Sequence, residues 1–136
     1  FGEPSLEMKK KHAAVIKVDA ALNLGTKAGL TVGDVFRKAQ AVYKETGYEK
    51  EWMLHHQGGP TGYNEREFVG TPDHKEIIQG NMVFAWNPSI TGTKCEDTMV
   101  LRKNGKHEIL TPTPNWPMVE VKVGKETLAR PDILVK

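Results

Sequence analysis

The apolar positions of this chain change rhythm once. Val15, Val18 and Leu22 recur at helical spacing with Ala14 and Ala21 beside them, while Lys9, Lys10, Lys17 and Asp19 fall mostly on the other faces. Pro4-Ser5 followed by Glu7 reads as the start of this helix, with Ser5 as its cap and an acidic charge in the first turn. Gly25 is the expected stop. A second helix opens at Thr31, where Thr31-Val32-Gly33-Asp34 is close to a capping box with Asp in the usual Glu or Gln position. Val32, Val35, Phe36, Ala39, Val42 and Tyr43 then keep the i, i+3, i+4, i+7 pattern until Gly47. The short link between the helices predicts an antiparallel pair.

After Gly47 the period shortens. Trp52 to His56 predicts a strand entering the glycine-rich stretch Leu54-His55-His56-Gln57-Gly58-Gly59-Pro60-Thr61-Gly62-Tyr63. Residues 64–81 are charged and punctuated by Gly70, Pro72 and Gly80, which predicts a long connection. Met82 to Trp86 reads as a buried strand ended by Asn87-Pro88, and Thr98 to Arg102 as another. Lys103-Asn104-Gly105-Lys106 supplies a hairpin turn into His107 to Leu110. Three prolines between Thr111 and Pro117 demand an extended or looped path. Val119, Val121 and Val123 alternate, Gly124-Lys125 turns, and a last strand is expected through Ile133 to Val135. Two helices followed by a mostly β remainder make the class α+β.

Composition narrows the picture. A length of 136 residues predicts a single domain, with residues 118–136 as a C-terminal β extension. The formal charge of +2, without a basic stripe, argues against a nucleic-acid partner; Lys9-Lys10-Lys11 reads as a solvated helix face. One cysteine excludes an internal disulfide and points to a reducing, cytoplasmic setting. Neither a membrane-span-length apolar run nor a signal-peptide pattern is present. The start at Phe1 rather than Met reads as a processed product or a cut-out piece.

Candidate chemistry centres on the His55-His56 pair, because imidazoles transfer protons and bind metals near neutral pH. With His74, His107 and scattered carboxylates they are the available metal donors, yet no closed metal motif can be read from the spacing. The pair is a site, or one ring packs while the other meets solvent. Cys95 precedes Glu96-Asp97, which disfavours a thiolate, and strand alternation turns it away from Glu96; a buried, inert thiol is expected. Glu96, just ahead of an apolar strand, points into a cleft or sits in a solvated turn.

Taken in order, these segments resemble the C-terminal half of the pita-bread catalytic domain shared by creatinase, Xaa-Pro aminopeptidase, prolidase and methionine aminopeptidase. Residues 27–35 resemble its turn and second helix, and His56-Gln57-Gly58-Gly59 its H-G-I-G strand. Residues 80–88 resemble the first glutamate strand, and residues 94–101 the second. The resemblance covers about residues 1–112 and implies half of a pita-bread fold, two N-terminal helices packed on a mainly antiparallel sheet. Metal-using members hold two divalent ions (Mn, Co or Zn) with two Asp, one His and two Glu, and a bridging water attacks the scissile carbonyl. On this sequence the ligand His falls on His56 and the last Glu on Glu96, while Asn87 stands where the first Glu is expected. A second family His, seven residues after the ligand, is replaced by Tyr63. The Asp pair lies upstream of the first helix in the family, so the chain looks like a piece of a longer protein.

The resemblance implies a Xaa-Pro peptidase-like hydrolase with a peptide or small amide as substrate. His56, Glu96 and Tyr63 are its catalytic candidates, and Trp86 and Arg66 its substrate-side candidates. Arg66 rests on nearness to Tyr63, against a plain surface charge. The alternatives are a metal-independent, creatinase-like C–N hydrolase and a binding domain without turnover. The chain alone is expected to be inactive as a peptidase and, with half a cleft open, to self-associate, for instance as a homodimer.

Overall fold

The computed structural model describes residues 2–136. Two helices lead, α1 (Leu6–Gly25) and α2 (Val32–Glu45), followed by a 3₁₀ turn at Glu51–Met53. The strands are β1 (Gly58–Thr61), β2 (Val83–Trp86), β3 (Ser89–Ile90), β4 (Thr93–Lys94), β5 (Asp97–Leu101), β6 (His107–Ile109), β7 (Met118–Val123) and β8 (Glu126–Pro131). An antiparallel sheet runs in the order β1-β2-β5-β6, and β3-β4 and β7-β8 form separate hairpins.

Both helix starts follow the residues that announce them. The Ser5 hydroxyl accepts from the Met8 N–H at 3.1 Å. Thr31 and Asp34 complete a reciprocal capping box, the Asp34 N–H donating to the Thr31 hydroxyl and the Thr31 N–H to the Asp34 carboxylate. The end of α1 differs from expectation. Gly25 stays inside the helix, close against Val35 of α2, and Thr26 ends it. Its extended backbone breaks the ladder while its hydroxyl donates to the Leu22 carbonyl at 2.7 Å.

Helix α1 is buried around much of its second half, because α2 covers one side and β3, β4, β7 and β8 pack on others. Asp19, expected on an outer face, is consequently fully buried. It meets Arg130 of β8, itself without exposed surface, at 2.5 Å, and Arg130 also donates to the Asp97 carboxylate at 2.9 Å. Asn23 donates to the same Asp19 oxygen at 2.9 Å. Burial pushes the Asp19 carboxyl up to about 6 against the pull of Arg130. The network ties α1, β5 and β8 together.

Two expected strands are displaced. Trp52 to His56 is not extended. Trp52 sits edge-on against Phe36 with ring centroids 5.7 Å apart, and the Glu51 carboxylate accepts from the Thr91 N–H and hydroxyl at 2.8 Å each. These contacts fix a turn, and pairing starts at Gly58, whose φ of 87° is open to glycine at little cost. The last strand is Glu126–Pro131 rather than Ile133–Val135. The two-residue turn at Gly124-Lys125 sets Val123 opposite Glu126, so the chain returns at once and its pairing is spent by Pro131.

Candidate functional site

Strand register builds the site. Gly58 of β1 faces Trp86 of β2, and Trp86 faces Asp97 of β5. One step beyond each strand end lie Gln57, Asn87 and Glu96, side by side at the same edge, and the Asn87 N–H donates to the Gln57 carbonyl at 3.0 Å. His56 follows on the β1 side and Lys94 on the β5 side. Residues from three separate motifs therefore converge because antiparallel pairing aligns their ends.

Gln57, which sequence reasoning passed over, holds the turn. Its buried side chain donates to the Trp52 and His55 carbonyls and accepts from the Tyr43 hydroxyl of α2 at 2.6 Å. The signal was a polar residue wedged between a His pair and three apolar-compatible positions. Its buried fate needed Tyr43, fourteen residues away, to be visible. With the turn fixed, His55 stacks on His56 at 4.4 Å and the His56 ring nitrogen Nδ1 accepts from the Gly58 N–H at 3.3 Å. Partial burial, His55, Arg66 and Lys94 lower the His56 pKa, with Glu96 opposing. These effects favour the neutral ring.

Glu96 is doubly ion-paired. Arg66 Nη2 donates to Oε1 at 2.9 Å and Lys94 Nζ lies 2.7 Å from Oε2. Burial pushes its carboxyl up, but the hydrogen bonds and charges of Lys94 and Arg66 together outweigh that and bring it below the ordinary value. Arg66 therefore belongs to the site through Glu96, not through Tyr63. Tyr63 stands wholly in solvent, 101% exposed. Trp86, expected to face substrate, is instead fully buried; it stacks on Phe84 and its indole N–H donates to the Thr26 hydroxyl at 2.9 Å. The inward face of β2 carries it into the core. Cys95 is buried as alternation implied, and burial pushes its thiol up to about 12.

Asn87 is 3% exposed, and its Oδ1 has no hydrogen-bond partner among the described residues. A buried polar atom left unpaired costs about 1–3 kcal/mol, so this one has a purpose to find. His74 stacks on Phe68 at 4.1 Å and His107 donates to the Thr26 carbonyl at 2.8 Å, so neither joins the site. Among the described residues no group of three His, Cys, Asp or Glu is arranged to hold a metal. The donors at the sheet edge do not fit a divalent ion by themselves: both Glu96 oxygens already face cations, and the Asn87 oxygen is neutral. A largely apolar cavity of about 460 Å³ opens beside His55 and His56, lined in part by Phe36, Trp52, Leu54 and Val69. Another of about 550 Å³ runs from Lys94 and Glu96 to His12, Trp116 and Ile133. No helix among the described residues is long and apolar enough to cross a membrane.

Comparison with known proteins agrees with this arrangement. An uncharacterized peptidase of Staphylococcus epidermidis is 26% identical over 117 residues, covering 82% of this chain and 33% of that protein. X-Pro aminopeptidase from Thermotoga maritima is 28% identical with a TM-score of 0.71, over 84% of this chain and 34% of its own. Prolidase from Pyrococcus furiosus, at 21% identity, shares the fold with a TM-score of 0.72 over 84% of this chain and 35% of its own. The chain spans about a third of the length of the curated relatives it matches. Residues 1–103 match metallopeptidase family M24, somewhat short of the 1–112 the sequence motifs suggested. The helix pair and the β1-β2-β5 edge are thus part of a pita-bread fold, and the chain belongs to metallopeptidase family M24.

Proposed function

We propose that this chain forms one side of the cleft of a Xaa-Pro peptidase-like hydrolase, with the substrate lying along the edge that carries His56, Asn87 and Glu96. The observation that supports this most is the convergence of those three positions at one end of the sheet. His56 accepts a hydrogen bond from the Gly58 N–H at Nδ1, so its neutral ring carries the proton on Nε2 and donates a hydrogen bond from there to the scissile carbonyl oxygen as charge develops on it. The proton that the attacking water gives up as the C–O bond forms passes to the proline nitrogen as the C–N bond breaks. Glu96 and Arg66 set the polarity of the edge, and the apolar cavity beside His56 takes an uncharged side chain. The full-length protein is expected to cleave the dipeptide Ala-Pro and to lose that activity in His56→Ala. No cleavage of Ala-Pro by the wild-type full-length protein, with or without Mn, Co or Zn, overturns the reading.

A second reading, a binding domain without turnover, draws support from Tyr63. It stands in open solvent where the family resemblance calls for a catalytic histidine. Under that reading Glu96→Gln leaves every measured property of the protein unchanged.

A further inference from the structure

The sheet edge combines a carboxylate whose oxygens are both taken with an amide whose carbonyl oxygen has no partner among the described residues. Glu96 gives one oxygen to Arg66 at 2.9 Å and the other to Lys94 at 2.7 Å. A carboxylate that ligates a hard divalent ion must turn its lone pairs toward that ion. Here those directions are occupied by Arg66 and Lys94. Asn87 sits beside Glu96 at the same edge, 3% exposed, and its Oδ1 is unpartnered among the described residues. Arg66 Nε is likewise buried and unpartnered. One of these atoms can accept and the other can donate, the two hydrogen-bonding roles that a peptide N–H and C=O call for.

We propose that this edge binds a short peptide without a divalent ion, Arg66 taking the ion's place on Glu96 and Asn87 accepting a hydrogen bond from a peptide N–H. The proposal rests on the cleft reading above and deepens it. Positive charge next to the substrate comes from a guanidinium held by the chain itself. Arg66 reaches the edge from the long connection after β1, so the same loop that brings the charge also walls the apolar cavity through Val69.

The test uses the full-length protein and two probes. Calorimetric titration with Mn²⁺ alone is expected to show no saturable sub-millimolar binding to wild type or to Asn87→Glu. The double variant Arg66→Ala/Asn87→Glu, which frees one oxygen and restores the acidic ligand, is expected to gain it. Saturable binding to wild type, or no gain in the double variant, overturns the assignment of Arg66. With Ala-Pro as the second probe in the His56→Ala background, Asn87→Leu is expected to weaken binding about tenfold or more. It is also expected to leave the melting temperature unchanged or raised, because an unpaired buried amide is removed. A clear fall in melting temperature, or unaltered Ala-Pro binding, overturns the role of Asn87. Failure of the wild type to cleave Ala-Pro, with these outcomes as expected, sinks the hydrolase reading and leaves the ion-free site standing.

Discussion

Glu96 and Asp97 are neighbours in sequence, and each meets an arginine at 2.9 Å, yet they belong to different parts of the protein's physics. Alternation into β5 sends Asp97 inward, to an Arg130 without exposed surface that also holds Asp19. Glu96 points outward to Arg66 and Lys94 at the rim, where water still reaches the carboxylate. The inner cluster is a lock: Asp19 and Arg130 pair with each other and neither has exposed surface. At the outer cluster solvent screens the ion pairs, so they contribute little to stability. Equal distances do not mean equal roles; burial decides.

The largest test of this contrast is Arg130→Ala. It strands two carboxylates in the interior and is expected to cost about 3–5 kcal/mol, read as a lowered urea midpoint. A loss under about 1 kcal/mol would put the inner cluster on the same footing as the outer one.

A pH series probes the lock without removing its cation. Burial raises the Asp19 carboxyl from 3.8 to about 6 in the folded state. Between those values the folded protein holds a proton the unfolded chain has lost, so stability falls as pH rises through this window. The two-unit shift corresponds to at most about 3 kcal/mol. Relative to Asp19→Asn, the wild type should therefore lose stability between about pH 4 and pH 6 in urea unfolding. A rise instead would show that the Arg130 attraction outweighs burial.

Thr26→Val comes next. Thr26 both closes α1 and accepts the buried Trp86 indole N–H at 2.9 Å, so the change leaves that donor unpaired. A loss of about 1–3 kcal/mol in thermal unfolding is expected.

What could be read from the sequence divides along the same line of distance. The Ser5 and Thr31 caps, the Lys103–Lys106 turn and the buried strand ahead of Asn87 were legible because each is decided within a few residues. The family motifs that carry His56 and Glu96 are likewise short runs of adjacent residues. Asp19 was misjudged because its partner, Arg130, lies at the far end of the chain. Trp86 looked available beside Asn87, but the face of β2 it occupies is set by pairing with both β1 and β5. Arg66 was suspected for its nearness to Tyr63, while its actual partner lies thirty residues on. The β3-β4 hairpin was missed because strands of two residues leave no alternation to detect.

The smallest effect expected is in some ways the sharpest. Arg66→Ala removes one of the two cations on Glu96 from a rim where the carboxylate is 40% exposed. Solvent screening limits the stability change to less than about 1 kcal/mol, several-fold below that of Arg130→Ala. The Glu96 carboxyl should nevertheless respond: Lys94 and Arg66 together hold it below the ordinary value against the push of burial, so losing Arg66 raises its pKa. The sign for stability follows. A depressed carboxyl contributes above its unfolded pKa and loses that contribution as pH falls through the folded value, so the small deficit of Arg66→Ala should vanish toward acid. Carboxyl carbon chemical shifts followed through a pH titration of wild type and Arg66→Ala read the pKa directly, and parallel urea curves read the stability. An unshifted Glu96 would mean that Lys94 alone holds it and that Arg66 has no claim on the site. A stability loss as large as that of Arg130→Ala would mean that the rim, like the interior, is a lock.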